Sequence, residues 1–459
     1  MNVALLADFG STFTKVLAVD LDAAVIAGHG LCPSGGDLMD SYDKAAGAAL
    51  GQVRGPATVA LELAASSAGG GLRMAAVGLV PELTALAAQT AALNAGARLL
   101  AVLAGRLTGA DAARLSALAP EIVLFAGGTD DGQQQRVLDN AAAIAGSLAG
   151  AHVVVACNRA VARVVAGLLA PGAASVTVVP NVLPELGRTR TGPAREEIGR
   201  LFLRHVIAGK RLSASPRFAA LVRMATPDAV LRAAVLCAET AGSPGEGPGA
   251  IVTDVGGATT DVYSAVPGPP AARAPLVSRP VMRTVQGDLG LRSGAAGVLA
   301  ADGGWLAAQF PAPAYGPGWL AAACARRQAE PAAVYGYGPQ LLLDRALAVS
   351  CLARALQRHA GTRVVRPGPG GRAEVRHLDP DLTGCRVLVA GGGLLRAADR
   401  PEEVVRAALD RLPAAALAPR QARVVIDRGY VLAAAGLLAQ AHPKVAADLL
   451  RHELPEAIS

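Results

Sequence analysis

Aromatic residues make up only 3% of this 459-residue chain, too few to build a stacking platform for unpaired bases. The net charge of +7 and a pI near 9.3 would suit a polyanion. The basic residues, however, are scattered among acidic ones and form no stripe, so no nucleic-acid partner is expected. Lysine is almost missing: it occurs at Lys15, Lys44, Lys210 and Lys444, whereas Arg and Ala are abundant, a pattern of codon bias more than of function. The six cysteines, Cys32, Cys157, Cys237, Cys324, Cys351 and Cys385, are isolated, with no Cys-x-x-Cys and no zinc-type spacing to histidine. They read as small buried hydrophobes. No uncharged apolar run approaches the roughly 18 residues of a membrane span, and the most lipid-like stretch, 431–441, is about half that length. The N-terminus has no basic region and runs straight into the first motif, so a cleavable leader would remove it. A cytoplasmic protein without a membrane partner is expected.

What is present is a duplication. Ala7-Asp8-Phe9-Gly10-Ser11-Thr12-Phe13-Thr14-Lys15 and Thr253-Asp254-Val255-Gly256-Gly257-Ala258-Thr259-Thr260-Asp261 share one layout: an apolar strand, an Asp, a small-residue turn, then hydroxyls. Glycine lets backbone N–H groups approach a phosphate, and a carboxylate at the strand end can hold Mg2+ through its water shell. Gly10, Ser11, Thr12 and Lys15 are the candidate phosphate ligands of turn one; Gly256, Gly257, Ala258, Thr259 and Thr260 are those of turn two. Asp8 and Asp254 are the candidate catalytic and metal-water carboxylates, and Asp261 reads as a solvent-facing residue. Either motif alone is also what an ordinary turn looks like. Two such turns facing each other would clamp one nucleotide.

The rest of the chain reads as layered α/β structure, long enough for more than one domain. Strands are expected at 3–7, 14–20 and 24–30, a helix at 38–50, then alternating strands and helices to 156. Pro- and Gly-rich stretches at 180–193 and 242–249 are connections. The strands 251–255, 260–266 and 276–284 repeat the opening meander, which divides the chain into 1–245 and 246–459. The segment 305–339 holds most of the aromatic residues; 311–339 reads as irregular, a packed loop cluster in preference to a partner-contacting insertion.

Two further glycine turns follow buried-type strands. Gly391, Gly392 and Gly393 close 387–390 and suit the flat approach of an adenine-ribose unit. Ala126-Gly127-Gly128-Thr129-Asp130-Asp131-Gly132 closes 122–125, and there Thr129 or Asp130 equally suits the N-cap of a helix over 133–148.

The order of these motifs, phosphate turn one, phosphate turn two, then adenosine turn, resembles the superfamily of actin, the large heat-shock chaperone ATPases and the sugar kinases. More narrowly, residues 7–15, 126–132, 181–185 (Asn-Val-Leu-Pro-Glu), 287–292 (Gly-Asp-Leu-Gly-Leu-Arg) and 427–436 resemble the glutamate mutase MutL family. The resemblance implies two ribonuclease-H-like domains facing each other across a nucleotide cleft, with ATP or ADP and Mg2+ as ligands. Family members are encoded with adenosylcobalamin-dependent mutases and are thought to be their ATP-dependent reactivating chaperones, so mutase subunits are the implied partners. Asp131 departs from the family's Gly-Gly-Thr-Asp-Gly-Gly.

Other classes compatible with the same fold are a small-molecule kinase, which needs a substrate base that no motif supplies, and a nucleotide-binding scaffold without turnover. An electron-transferring activator of dehydratases shares the opening Asp-x-Gly-Ser-Thr-x-Thr-Lys. The scattered cysteines argue against its cluster.

Overall fold

The computed structural model describes residues 1–10, 13–67, 72–207, 212–213, 215–240, 249–266, 280–311, 315, 317–367, 373–377 and 380–455. These fall into two compact units: Met1–Val230 with Gly436–Val445, and Leu231–Pro267 with Pro280–Ala435 and Ala446–Ser459.

The first unit opens with the expected meander, β1 (Asn2–Phe9), β2 (Phe13–Asp20) and β3 (Val25–Pro33), followed by a helix at Leu38–Leu50 and β4 (Thr58–Ser66). Asp37 starts that helix by accepting the Met39 N–H at 2.8 Å. Next come five strands separated by helices: β5 (Leu72–Gly78), β6 (Ala97–Ala104), β7 (Ile122–Phe125), β8 (His152–Val155) and β9 (Ser175–Val178). A last short strand, β10 (Val222–Ala225), leads directly into a helix at Thr226–Thr240. The chain passes into the second unit within that helix.

Two sheets result. The first runs β10-β4-β1-β2-β3, with β1 antiparallel to β2 but parallel to β4. β1 is apolar on both faces because both faces are covered. The second sheet, β6-β5-β7-β8-β9, is wholly parallel. Its alternate residues go to different cores: Met74, Ala76, Ile122, Leu124 and Val154 join the core of the first sheet, while Ala75, Val77, Val123, Phe125 and Val155 pack under the helices of the other face. Both sheets lie in this one unit.

The second unit repeats the meander as β11 (Ala250–Val255), β12 (Thr260–Ala265) and β13 (Val281–Gln286). A hairpin, β14 (Arg363–Pro367) and β15 (Ala373–His377), precedes β16 (Val387–Gly391) and β17 (Arg423–Ile426). The main sheet runs β13-β12-β11-β16-β17 with β11, β16 and β17 parallel. By position from the first strand of each meander, both main sheets therefore have the order 3-2-1-4-5 and the same strand directions. That is the ribonuclease-H-like arrangement, present twice.

The irregular reading of 311–339 is corrected by a helix at Pro317–Ala329, whose apolar face buries Leu320, Ala323 and Cys324; its Ala-rich composition carries the helix despite flanking Pro and Gly. Phe310, Tyr315 and Trp319 pack together with ring centroids 5.0 to 5.9 Å apart. Tyr337, in contrast, is 88% exposed. Five cysteines are buried, but Cys32 is only half-buried, at the end of β3 opposite Thr14. Burial pushes the thiols of Cys157, Cys237, Cys351 and Cys385 up to about 12 and raises that of Cys324. Among the described residues no helix is long and apolar enough to cross a membrane.

Candidate functional site

Turn one begins where β1 ends. The Gly10 N–H donates to Phe13 O at 3.1 Å, closing the turn. Asp8 stands directly opposite Lys15 in the β1–β2 register. Its Oδ2 is 3.2 Å from Lys15 Nζ, and its Oδ1 accepts from the Thr226 hydroxyl at 2.6 Å. Thr226 belongs to none of the sequence motifs. The Thr-Pro-Asp helix start is a readable signal, but only the pairing of β10 beside β4 and of β4 beside β1 brings it to Asp8. The same first helical turn carries Asp228, 3.8 Å from Arg195. Ser11 and Thr12 lie outside the described residues.

Turn two has the same frame. The Gly256 N–H donates to Thr259 O at 2.9 Å, and Asp254 stands opposite Asp261 in register. Asp254 is exposed, with Gly257 and Ala258 exposed beside it. The Gly257 and Ala258 N–H groups donate to no acceptor among the described residues. The hydroxyls serve the frame instead: Thr260 is buried and donates to Leu289 O at 2.9 Å, and Thr259 donates to Asp261 at 3.2 Å.

Asp261 does not face solvent as the sequence suggested. It is 9% exposed and bound by Arg283 of β13 through Nε at 2.9 Å and through an Nη at 2.6 Å. Burial works against the Arg283 charge, but Asp261 outweighs it and holds the guanidinium above its ordinary value. Arg283 is diagonal to Asp261 across β12 and β13, a relation that no local pattern reveals.

The loop 287–292 wraps turn two. Leu291 N–H donates to Gly256 O at 3.0 Å and Arg292 N–H to Gly257 O at 2.7 Å. A Cβ at Gly290 would lie 2.4 Å from the Ala258 carbonyl carbon, so only glycine permits this approach. The Arg292 side chain continues outward, pairing with buried Asp344 at 2.9 and 3.0 Å and donating through Nε to Ala333 O at 3.1 Å. Val334, the next residue, is 89% exposed. Asp288 of the same loop is held below the usual carboxylate range by hydrogen bonds from Arg358, at 2.7 and 2.9 Å.

The glycine turn of 391–393 joins this cluster. Gly391 pairs with Asp254 across parallel β11 and β16, and a Cβ there would lie 3.7 Å from Asp254 Oδ1. Gly392 has φ +124°, and a Cβ on it would meet Val255 O at 2.4 Å. Gly393 starts a short helix. Asp254, Gly256, Gly257, Ala258 and Gly391 to Gly393 thus gather at the carboxyl ends of β11 and β16, the edge at which open α/β sheets bind ligands.

The Gly127-Gly128 loop, at the end of β7, does not cap the following helix. That helix starts at Gln135 with Gln134 in the cap position. Asp130 instead accepts from Arg159 N–H and Asn181 Nδ2, at 3.1 and 3.0 Å.

The MutL protein family model matches residues 4–454. The chain is 33% identical over 462 residues to Protein MutL of Clostridium tetanomorphum, covering 99% of both chains. Among solved structures, nucleotide-free acetone carboxylase aligns with 63% of this chain and 48% of its own at 15% identity and a TM-score of 0.32. The chain thus spans about half of that protein. The xylulose kinase of Bifidobacterium adolescentis aligns with 98% of this chain and 93% of its own, at 12% identity and a TM-score of 0.31. For the gluconate kinase of Lactobacillus acidophilus the values are 99%, 90%, 10% and 0.32. The full-length family match and the MutL relative agree with the motifs at 7–15, 126–132 and 287–292, and the chain belongs to the MutL family.

Proposed function

We propose that this protein binds and hydrolyses ATP and uses the cycle to reactivate an adenosylcobalamin-dependent mutase, glutamate mutase or an aminomutase. The observation that carries the reading is the repeated Asp-x-Gly turn, closed by the same backbone hydrogen bond in two sheets of the same strand order. Membership of the MutL family supports the mutase partner.

Both carboxylates suit a hydrated Mg2+. Asp254 is exposed. Asp8 has one oxygen engaged by Thr226 and the other by Lys15, which leaves lone pairs for water, since a carboxylate offers about four. Outer-sphere holding of this kind matches an ion that dehydrates reluctantly. The bound ion would neutralise phosphate charge; the chain's own part is positioning. Gly257 and Ala258, whose N–H groups have no acceptor among the described residues, would offer them to phosphate oxygens, and Gly10, Ser11 and Thr12 are the corresponding groups proposed for turn one. The flat backbone of Gly391 to Gly393 is assigned to adenosine. Lys15, 3.2 Å from Asp8 Oδ2, holds that carboxylate in place. Domains 1–245 and 246–459 remain the proposed functional division, each carrying one turn.

Hydrolysis assists a partner only if the two nucleotide states differ in affinity for it. Arg292 supplies a physical connection, because its backbone holds turn two and its side chain holds Ala333, next in the chain to exposed Val334. The test is ATP turnover with and without the cognate mutase carrying inactivated cobalamin. Wild type should hydrolyse ATP and restore mutase activity, while Asp8→Ala and Asp254→Ala should each lower turnover about a hundredfold or more. Unchanged turnover in both variants would overturn the ATPase reading. Tight ATP binding without turnover would leave a scaffold.

A further inference from the structure

The wholly parallel sheet of the first unit has a feature that neither phosphate turn explains. Its order β6-β5-β7-β8-β9 is 2-1-3-4-5 in sequence order, with helices on both faces. The strand order reverses between β5 and β7. In such doubly wound sheets ligands bind outside the carboxyl ends of the strands at that reversal. Here the carboxyl end of β7 delivers Gly127-Gly128-Thr129, and that of β5 delivers Leu79 and Val80. The two exits adjoin: a Cβ built on Gly127 would lie 3.7 Å from Leu79 Cβ.

A second observation concerns hydrogen bonding. The N–H groups of Gly127, Gly128 and Thr129 donate to no acceptor among the described residues, although Gly127 and Gly128 are both buried. Buried backbone N–H groups are very rarely left unpaired. Three in succession, through residues with φ of +159° and +67° at the two glycines, are donors that a bound anion would satisfy.

The loop is also braced from below. Asn181 Nδ2 donates to Gly128 O and to Asp130, Asn158 N–H donates to Gly127 O, and Asn158 Nδ2 to Gly132 O. Asn158 and Asn181 are 0% and 4% exposed. A Cβ at Gly128 would collide with Gln133 O at 2.6 Å. The bracing engages Asp130 Oδ1 and Gly127 O, while the three N–H groups have no acceptor among the described residues. Asp131 is the one carboxylate of the loop left in solvent, 3.7 Å from the Arg159 guanidinium, which offsets its charge and leaves it able to accept from a hydroxyl.

We propose that this crevice is a second ligand site, separate from the two phosphate turns, which takes the phosphate of a small phosphate ester on Gly127, Gly128 and Thr129. The proposal does not rest on the ATPase reading. Hydrogen exchange of the peptide spanning 126–133 tests it, measured in the full chain carrying Asp8→Ala and Asp254→Ala so that the two turns are disabled. The probes are inorganic pyrophosphate and adenosine 5′-monophosphate. A probe at ten times its dissociation constant should slow exchange of the three amides about tenfold. Slowing by both probes identifies the phosphate group as the recognised element, and slowing by the nucleotide alone identifies a nucleotide ester. Val80→Glu adds a carboxylate at the exposed exit of β5, next to Leu79, leaves the loop residues unchanged and should weaken the slowing by repulsion of the anion. No slowing by either probe overturns the proposal, as does slowing that Val80→Glu leaves intact.

Discussion

Asp8 and Asp254 hold the same position in two sheets of the same order, yet the residue opposite each across its hairpin is different. Lys15 faces Asp8 and pairs with it; Asp261 faces Asp254, and its charge is compensated from the neighbouring strand by Arg283. Turn one therefore carries its cation next to the strand-end carboxylate. Turn two buries its cation one strand further on, which leaves Asp254 exposed beside open N–H groups. Turn one is joined to the start of the helix Thr226–Thr240 through Thr226, whereas turn two is wrapped by the loop of Gly290 and Arg292. A duplicated backbone thus sets its two charged pairs differently, Lys15 on the strand-end carboxylate itself in turn one and Arg283 on the residue opposite it in turn two.

The sharpest way to break this comparison is to remove the compensating cation on each side. Arg283 is 4% exposed, so Arg283→Met leaves Asp261 buried without its partner and should cost about 3–5 kcal/mol of stability. Lys15→Met should cost at most about 1 kcal/mol, because that pair is partly solvated, with the lysine side chain 27% exposed. Urea unfolding of both variants measures this, and equal losses would show the two turns to be alike after all.

Gly392→Ala comes next. The positive φ and the contact with Val255 O together should cost about 2–4 kcal/mol and weaken ATP binding. Gly10→Ala meets only Phe13 O at 2.7 Å, with no positive φ, and should cost less. Calorimetric melting with nucleotide titration separates the two.

Thr226→Val removes one hydrogen bond to a charged group and should cost about 1.5–3 kcal/mol, with a fall in turnover smaller than that of Asp8→Ala. A variant as slow as Asp8→Ala would give Thr226 a direct part in the chemistry.

The smallest effect is pH-dependent. Arg358 holds the Asp288 carboxyl below its ordinary value, so the contribution of this pair is fully present above the unfolded value near pH 4 and is lost as pH falls through the lower folded value. Asp288→Asn should therefore destabilise the protein at pH 7 by no more than about 1 kcal/mol, given an exposed pair. The difference from wild type should shrink as the solution is acidified below about pH 4. Unfolding midpoints across that window measure it; a difference that grows on acidification would contradict the assignment.

The two meanders were legible in the sequence because β-strand pattern and turn chemistry are local. The helix over 38–50 was legible for the same reason, with Asp37 ahead of it and apolar residues at helical spacing. Register was less so: β1 and β2 extend beyond their predicted ends, and that extension places Asp8 opposite Lys15. Strand order was not readable at all. Nothing local says that β10 lies next to β4, so Thr226 could not be linked to Asp8, and nothing local says that Arg283 reaches diagonally to Asp261. The parallel sheet of β5 to β9 was visible as alternating strands and helices, but its reversal point exists only once the strands are arranged in space.

Cys32 has a practical consequence. It is the half-buried cysteine, on the strand next to β2 and opposite Thr14, while burial raises the other five thiols far from the thiolate form at neutral pH. A thiol-reactive fluorophore would accordingly choose one position in the natural sequence, one strand away from turn one. The chain comes with its own attachment point for an optical reporter, and events at Gly10 to Lys15 can be followed in real time without altering a residue.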